Sequence, residues 1–196
     1  MKNRRTCAAA TILAAAWVGA GAPSVAQNPG AHMHGEADMN VIVEDKTISI
    51  AFRAPGADIV GFEHDAESSA DKKAVADALA RLEAAADVFI LPRGAKCRIR
   101  EAHAESSLLE DAGDEHKHEH DHKREHGHKD EHEEGHGGFS AHYVYTCTAP
   151  DGLGAIDTRL FTLFPSLREI HARIIGPAGQ SAATLTPSET SVSLGK

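Results

Sequence analysis

The sequence lacks the motifs that mark the common enzyme chemistries. It has no phosphate-binding glycine loop, no nucleophile elbow and no HExxH zinc-protease motif. Beyond residue 26 it also lacks any apolar run long enough to cross a bilayer. We therefore expect a protein that is not an enzyme and that does not insert into a membrane once its first segment is removed.

The first segment has the pattern of an export signal. Basic residues near the start precede an uncharged run, residues 6–21, that is too short to span a bilayer. Ser24-Val25-Ala26 then has small residues at the two positions that an export peptidase inspects. The pattern predicts a signal peptide over residues 1–26, a single metal-binding domain over residues 27–196 and a periplasmic location.

The mature chain is short of positive charge. Loss of Lys2, Arg4 and Arg5 with the signal leaves 17 of the 20 Lys and Arg residues against 29 Asp and Glu residues, a net charge of −12 with histidines neutral. A strongly acidic protein repels nucleic acids and anionic membrane surfaces. We expect its partners to be cations, and divalent metal ions in particular.

Cysteine is scarce, and only two of the three cysteines remain after the signal is removed. Cys97 and Cys147 are an even pair in an oxidising compartment, so we predict one disulfide that ties the ends of the segment between them to the folded body. The alternative of two free buried thiols stays open at this point. A two-cysteine zinc site is disfavoured because it needs reduced thiolates.

Apolar periodicity predicts several strands and one main helix. Residues 37–53 have the alternation of a hairpin, and the Ala-rich stretch over residues 69–86 has one apolar stripe at helical spacing. Further strands are predicted from residue 96, over residues 139–148, and near residues 156–163, 169–175 and 181–186. These elements predict an α+β domain with a mainly antiparallel sheet, one principal helix and a mobile His-rich insertion loop.

Residues 114–136 form that insertion, and they include no apolar side chain. Such a segment buries too little to offset the entropy of ordering, so we expect it to be mobile without metal. Its histidines recur two and four residues apart, which places pairs on one side of an extended chain or of a helix. The eight histidines are His116, His118, His120, His122, His126, His128, His132 and His136.

This spacing suits weak, multiple and exchangeable metal sites better than one fixed tetrahedron. Imidazole favours Zn²⁺, with Ni²⁺ and Cu²⁺ as open alternatives, whereas Cu(I) is disfavoured because the segment has neither Met nor thiolate. Since each imidazole must be deprotonated to bind, we expect metal binding near neutral pH and release on mild acidification.

A smaller histidine cluster is predicted outside the insertion. His32 and His34 repeat the two-residue spacing just before the first strand, and His64 lies in the loop after the hairpin. A loop histidine reaches a metal site without distorting a strand. These three residues are therefore the candidates for a tighter site.

Three further histidines are not assigned to a site. His103 and His142 flank the insertion, and each fits a bystander as well as a ligand. His171 shares its predicted strand face with Arg173, so we expect it to be merely exposed.

Motifs outside the insertion recur in a recognisable order. They are HMHGEADMNV from His32, APGADIVGFEH from Ala54, the Cys97 and Cys147 pair around the insertion, FSAHYVYTC, and LFTLFPSLREIHARIIGPAGQ. In this order they resemble the ZrgA-type periplasmic zinc-binding proteins of Gram-negative bacteria. The resemblance implies a zinc-capturing component of an uptake system that hands the ion to an inner-membrane transporter. It also strengthens the histidines of the smaller cluster as ligands.

Several functions share this ligand chemistry. The first is periplasmic binding of Zn²⁺, through the His-rich loop and the smaller cluster, in the service of zinc uptake. The alternative is a periplasmic buffering or detoxification protein for zinc, nickel or copper that has no transporter partner. A metalloenzyme that uses the smaller cluster is a third hypothesis.

Overall fold

The structure is a computed structural model that describes residues 34–109 and 137–194. The predicted signal peptide over residues 1–26 and the insertion over residues 114–136 lie outside the described residues. So does His32. The predictions made for these segments stay predictions.

Strands dominate the described residues. The strands are β1 (Glu36–Glu44), β2 (Thr47–Pro55), β3 (Phe89–Ile90), β4 (Cys97–Ser106), β5 (Gly138–Cys147), β6 (Ala155–Thr158), β7 (Glu169–Gly176), β8 (Gly179–Leu185) and β9 (Ser191–Ser193). The helices are α1 (Gly56–Ile59), α2 (Ser69–Glu83), α3 (Ala85–Val88) and α4 (Leu160–Leu163), with single 3₁₀ turns at Arg93–Ala95 and Pro150–Gly152. Three of these four α-helices have only 4 residues each.

The strands β1 and β2 form the predicted hairpin. Met39, Val41 and Val43 alternate with exposed or half-buried residues and face the core. Val41 lies opposite Ile50 in the antiparallel register. Asp45 has a φ of +50° in the two-residue turn, a left-handed conformation that Asp adopts more readily than most residues. The hairpin prediction is confirmed.

Six strands form one mixed sheet in the order β4-β5-β2-β1-β7-β8. All neighbouring pairs are antiparallel except β1 and β7, which run parallel. A parallel pair needs a crossover connection because a tight turn cannot join its strands. A smaller sheet has the order β3-β6-β9.

The predicted α+β class, with a mainly antiparallel sheet and one principal helix, is wrong. The described chain is mostly β, with a mixed six-stranded sheet and a separate three-stranded sheet. The strand predicted over residues 156–163 is divided between β6 and α4, and β3 and β9 have only 2 and 3 residues. Strands this short show no period, and alternation does not indicate which strands become neighbours.

The α2 helix packs on the buried face of the large sheet. Val75 and Leu82 face the core along one side of the helix. The Tyr143 hydroxyl of β5 donates a hydrogen bond to the Leu82 carbonyl over 2.7 Å. Ser68 caps the helix by accepting a hydrogen bond from the Asp71 amide. Neither this helix nor any other in the described part of the chain has the length and apolar character needed to cross a membrane.

A disulfide joins Cys97 and Cys147, as predicted. The two cysteines are register partners where β4 begins and β5 ends. The chain leaves for the insertion at the opposite end of this strand pair, beyond Ser106, and returns before Phe139. The expectation that the disulfide holds the ends of the insertion is therefore wrong, because the bridge lies at the other end of the two strands.

Candidate metal centre

The face of the large sheet that points away from the core is polar along β1 and β7. Glu36 and Asp38 of β1, and Glu169, His171 and Arg173 of β7, alternate with core residues and point to this outer face. In the parallel register Glu36 lies opposite Glu169, and Asp38 lies opposite His171. Residues far apart in the sequence therefore form one contiguous polar surface.

Glu36, Glu169 and His171 form a potential metal-ligand cluster on this surface, which we call the strand triad. One ligand atom of each residue lies within 4.8 Å of the other two. His171 Nε2 is 3.3 Å from Glu36 Oε2, and these side chains are 42% and 31% exposed. Zn²⁺ accepts an imidazole nitrogen and carboxylate oxygens, and three protein ligands leave a fourth position open for water or substrate.

An ion pair lies next to the strand triad. Arg173 Nη2 is 3.3 Å from Asp38 Oδ1, so the charge of this carboxylate is balanced by a guanidinium. The triad instead places two carboxylates around one imidazole. Because neighbouring carboxylates repel each other, a cation is the partner that this arrangement favours.

A second cluster lies where the chain enters β1. His34 Nε2 is 3.7 Å from Glu63 Oε1. Asp58 of α1 is only 5% exposed, and its Oδ1 accepts a hydrogen bond from the Gly35 amide over 2.8 Å. Within residues 34–109 and 137–194, no hydrogen-bond partner is found for Asp58 Oδ2. We call His34, Asp58 and Glu63 the loop cluster.

Burial raises the pKa of Asp58 above its ordinary value. The hydrogen bond from Gly35 and the nearby His34 oppose this effect, whereas the Glu63 carboxylate adds to it. Arg168 also lowers the pKa of Asp58, but less than these other influences change it. Burial therefore outweighs the favourable contacts that this carboxylate makes.

Gly35 connects the two clusters. Its amide binds Asp58, and its carbonyl accepts hydrogen bonds from the amides of Arg168 and Glu169 over 2.8 and 2.9 Å. Its φ of +92° lies in a region that side chains rarely tolerate. Through these hydrogen bonds, the conformation of Gly35 positions one residue of each cluster, Asp58 and Glu169.

The loop after α1 holds the chain on both sides of the insertion. The Ala66 amide donates a hydrogen bond to the Leu108 carbonyl over 2.7 Å. On the other side, the Gly137 amide donates to the Glu63 carbonyl over 3.3 Å, and the Gly56 amide donates to the Gly137 carbonyl over 2.8 Å. The chain thus leaves and re-enters the described fold beside the loop that carries Glu63.

Of the predicted histidine ligands, His34 and His64 are among the described residues. His34 lies beside Glu63. His64 is exposed, its Nδ1 donates a hydrogen bond to the Asp65 carbonyl over 2.9 Å, and its ring stacks on Phe62. The described contacts do not bring His34 and His64 together. The other predicted ligands lie outside the described residues: His32, His116, His118, His120, His122, His126, His128, His132 and His136.

The strand triad and Asp58 were not predicted from the sequence. Alternation indicated that His171 is exposed, but it specifies the face of a strand and not the neighbouring strand. The local signal was the two-residue spacing of Glu169 and His171, which places two ligand types on one face. Asp58 gave no signal because carboxylates in short loops are ordinarily exposed.

Comparison with known families matches residues 31–194 to the family described as ZrgA family zinc uptake protein. The matched range contains the strand triad, the loop cluster and both disulfide cysteines. A comparison with curated proteins found no match. With most of its length matched, and as its motifs predicted, the chain belongs to the ZrgA family of zinc uptake proteins.

Proposed function

We propose that this protein binds Zn²⁺ in the periplasm and serves zinc uptake, with the strand triad as its structured zinc site. The observation that carries the proposal is the convergence of Glu36, Glu169 and His171 within 4.8 Å on one sheet face. Ligands on strands are held more precisely than ligands on loops. Membership of the ZrgA family supports zinc as the metal.

The insertion over residues 114–136 is proposed to gather ions for this site. Its eight histidines offer many imidazole pairs at two- and four-residue spacing. The interspersed acidic residues complete the coordination or accept the second imidazole N–H. Weak sites tethered beside a tighter one raise the local concentration of the ion there.

The proposed location is the periplasm, after cleavage of residues 1–26. The signal pattern supports export, and a disulfide is typical of oxidising compartments. The acidic mature chain supports divalent cations as partners and disfavours nucleic acid. The proposed recipient of the ion is an inner-membrane transporter, and the protein is proposed to have no catalytic role.

Zinc counting on two variants tests this proposal. One variant lacks residues 114–136, and we expect it to lose several weak sites and to keep tight binding. The other, the triad variant, carries Glu36→Gln, Glu169→Gln and His171→Ala, and we expect it to lose a tightly bound ion. Glu105→Gln is the matched control, because Glu105 is an exposed carboxylate on β4 that accepts a hydrogen bond from the Ser140 hydroxyl.

Two results would contradict the proposal. Unchanged tight binding in the triad variant would exclude the strand triad as the zinc site. Unchanged stoichiometry in the deletion variant would exclude the role of the insertion. Expression separates the two functions, since induction by zinc starvation supports uptake and induction by zinc excess supports buffering or detoxification.

A further inference from the structure

The loop cluster contains a carboxylate with incomplete partners. Asp58 is 5% exposed, and the Gly35 amide binds only one of its two oxygens. The other oxygen, Oδ2, is buried without a hydrogen-bond partner among the described residues. Burial of a charged carboxylate is unfavourable unless it is paired. The hydrogen bond from Gly35 compensates for the burial of Oδ1, but no described contact compensates for the burial of Oδ2.

Two further ligand groups lie around this carboxylate. Glu63 Oε1 and His34 Nε2 lie 3.7 Å apart, and both residues influence the pKa of Asp58. Among the described residues only the strand triad has three ligand atoms within 4.8 Å of one another, so binding of an ion at the loop cluster requires a side-chain movement, and the His34 side chain is 71% exposed. The cluster therefore combines carboxylate oxygens from two acidic residues with one imidazole nitrogen. This is a donor set that Zn²⁺ accepts, whereas a site for Mg²⁺ or Ca²⁺ would consist of oxygens.

We propose that His34, Asp58 and Glu63 form a second divalent-cation site, separate from the strand triad, that receives Zn²⁺ where the insertion joins the fold. The Glu63 carbonyl accepts the hydrogen bond of the Gly137 amide, so this site lies at the point where the chain returns from the insertion. Three protein ligands leave a coordination position open, which suits exchange of the ion. The inference rests on the proposed zinc function.

The second site adjoins the first where the chain enters β1. His34 and Glu36 belong to different clusters and are separated by Gly35 alone. The hydrogen bonds of Gly35 hold Asp58 on one side and Glu169 on the other. An ion captured at the loop cluster therefore has the strand triad as its neighbouring site.

Zinc titration of the mature full-length protein, in competition with a chelator that empties weak sites, tests the second site. We expect two tightly bound zinc ions in the unaltered protein and one in Asp58→Asn, with at least a tenfold loss of affinity at the affected site. The asparagine oxygen still accepts the Gly35 hydrogen bond, and the buried charge is removed. The Tm of metal-free Asp58→Asn should therefore not fall, whereas the rise in Tm on zinc addition should shrink.

Two further variants keep the test independent of the folding of Asp58→Asn. Glu63→Gln and His34→Ala should each lose the same ion, and Glu67→Gln is the matched control because Glu67 is an exposed carboxylate of the same loop. Retention of two tight ions in all three variants overturns the second site. A fall in the Tm of metal-free Asp58→Asn with both ions retained would likewise show that Asp58 has only a structural role.

The outcomes also separate the two proposals. If the unaltered protein holds no tight zinc, the zinc function itself fails. If the triad variant loses one ion while the loop-cluster variants lose none, the zinc function stands and the second site alone fails.

Discussion

The strand triad and the loop cluster contain similar ligands, but only the loop cluster includes a deeply buried carboxylate. His171 and Glu36 of the triad are 42% and 31% exposed, whereas Asp58 of the loop cluster is 5% exposed. Water solvates exposed carboxylates, so their ion pairs contribute little to stability. A buried carboxylate depends on a partner. We therefore expect the triad to form at little cost without metal, and the loop cluster to gain stability if an ion binds there.

Removal of the triad imidazole is expected to have the largest effect. His171→Ala should lower the zinc affinity of the strand triad more than about 100-fold, because loss of an outer-shell partner alone typically costs about 10- to 100-fold. The stability of the metal-free protein should change by no more than about 0.5 kcal/mol, as for other surface substitutions. Competition titration and thermal unfolding measure the two quantities.

His142→Ala is the control for this change, since His142 is an exposed histidine on β5 of the same sheet. It should leave both the tight zinc affinity and the stability unchanged. If His171→Ala binds zinc as tightly as the unaltered protein, the imidazole of the triad is not a ligand.

Substitution of Gly35 tests whether one residue positions both clusters. Gly35→Ala should lower the free energy of unfolding by about 1–2 kcal/mol, because a side chain is strained at its φ of +92°. The zinc affinity of both clusters should fall as well. Denaturant unfolding and chelator competition measure these effects.

Gly179→Ala is the matched control for backbone strain. Gly179 has a φ of +112° with open space around it, and it is the first residue of β8, directly after the turn from β7. We expect a similar loss of stability without a loss of zinc affinity. Equal zinc affinity in the Gly35→Ala and Gly179→Ala variants would show that Gly35 does not position the ligands.

The smallest effect is expected for a substitution on the buried face of the same sheet, which should change stability and leave zinc affinity unchanged. Burial raises the pKa of Tyr145 from 10.0 to about 12, and its hydroxyl donates a hydrogen bond to the Ala85 carbonyl. As the pH rises, Tyr145 loses its phenolic proton in the unfolded chain before it does so in the folded protein. The free energy of unfolding is therefore unaffected by ionisation of this group below pH 10 and falls as the pH rises towards about 12. Tyr145→Phe should lose about 1 kcal/mol at neutral pH with the hydrogen bond.

Tyr145→Phe should also lose less stability than the unaltered protein as the pH rises through this range. Denaturant unfolding at a series of alkaline pH values measures the difference, and zinc affinity at neutral pH should not change. An identical decline in both proteins would show that Tyr145 is not responsible for the alkaline loss.

Features that depend on near neighbours were predictable from the sequence. Alternation predicted the β1–β2 hairpin, and a helical apolar stripe predicted α2. Each of these features depends on periods of two or of 3.6 residues, which are visible within a single element.

The strand triad was not predictable because it depends on the parallel pairing of β1 and β7. Alternation places Glu36 on one face of β1 and His171 on one face of β7, but it does not specify which strands become neighbours in the sheet. The strands β3 and β9 have only 2 and 3 residues, which is too short for an alternating pattern. Asp58 departs from the rule that carboxylates are exposed, and such departures are common at functional positions.

X-ray absorption at the zinc edge, on the mature protein loaded with one equivalent of Zn²⁺, tests the central claim most directly. The strand triad and the loop cluster each contain one imidazole, whereas a site in the insertion, with its eight histidines, would use several. We predict a first shell with one imidazole nitrogen at about 2.0–2.1 Å and carboxylate oxygens at about 2.0–2.2 Å. A first shell with two or more imidazoles would place the tightly bound ion in the insertion and contradict the claim that the sheet and its adjoining loop hold it.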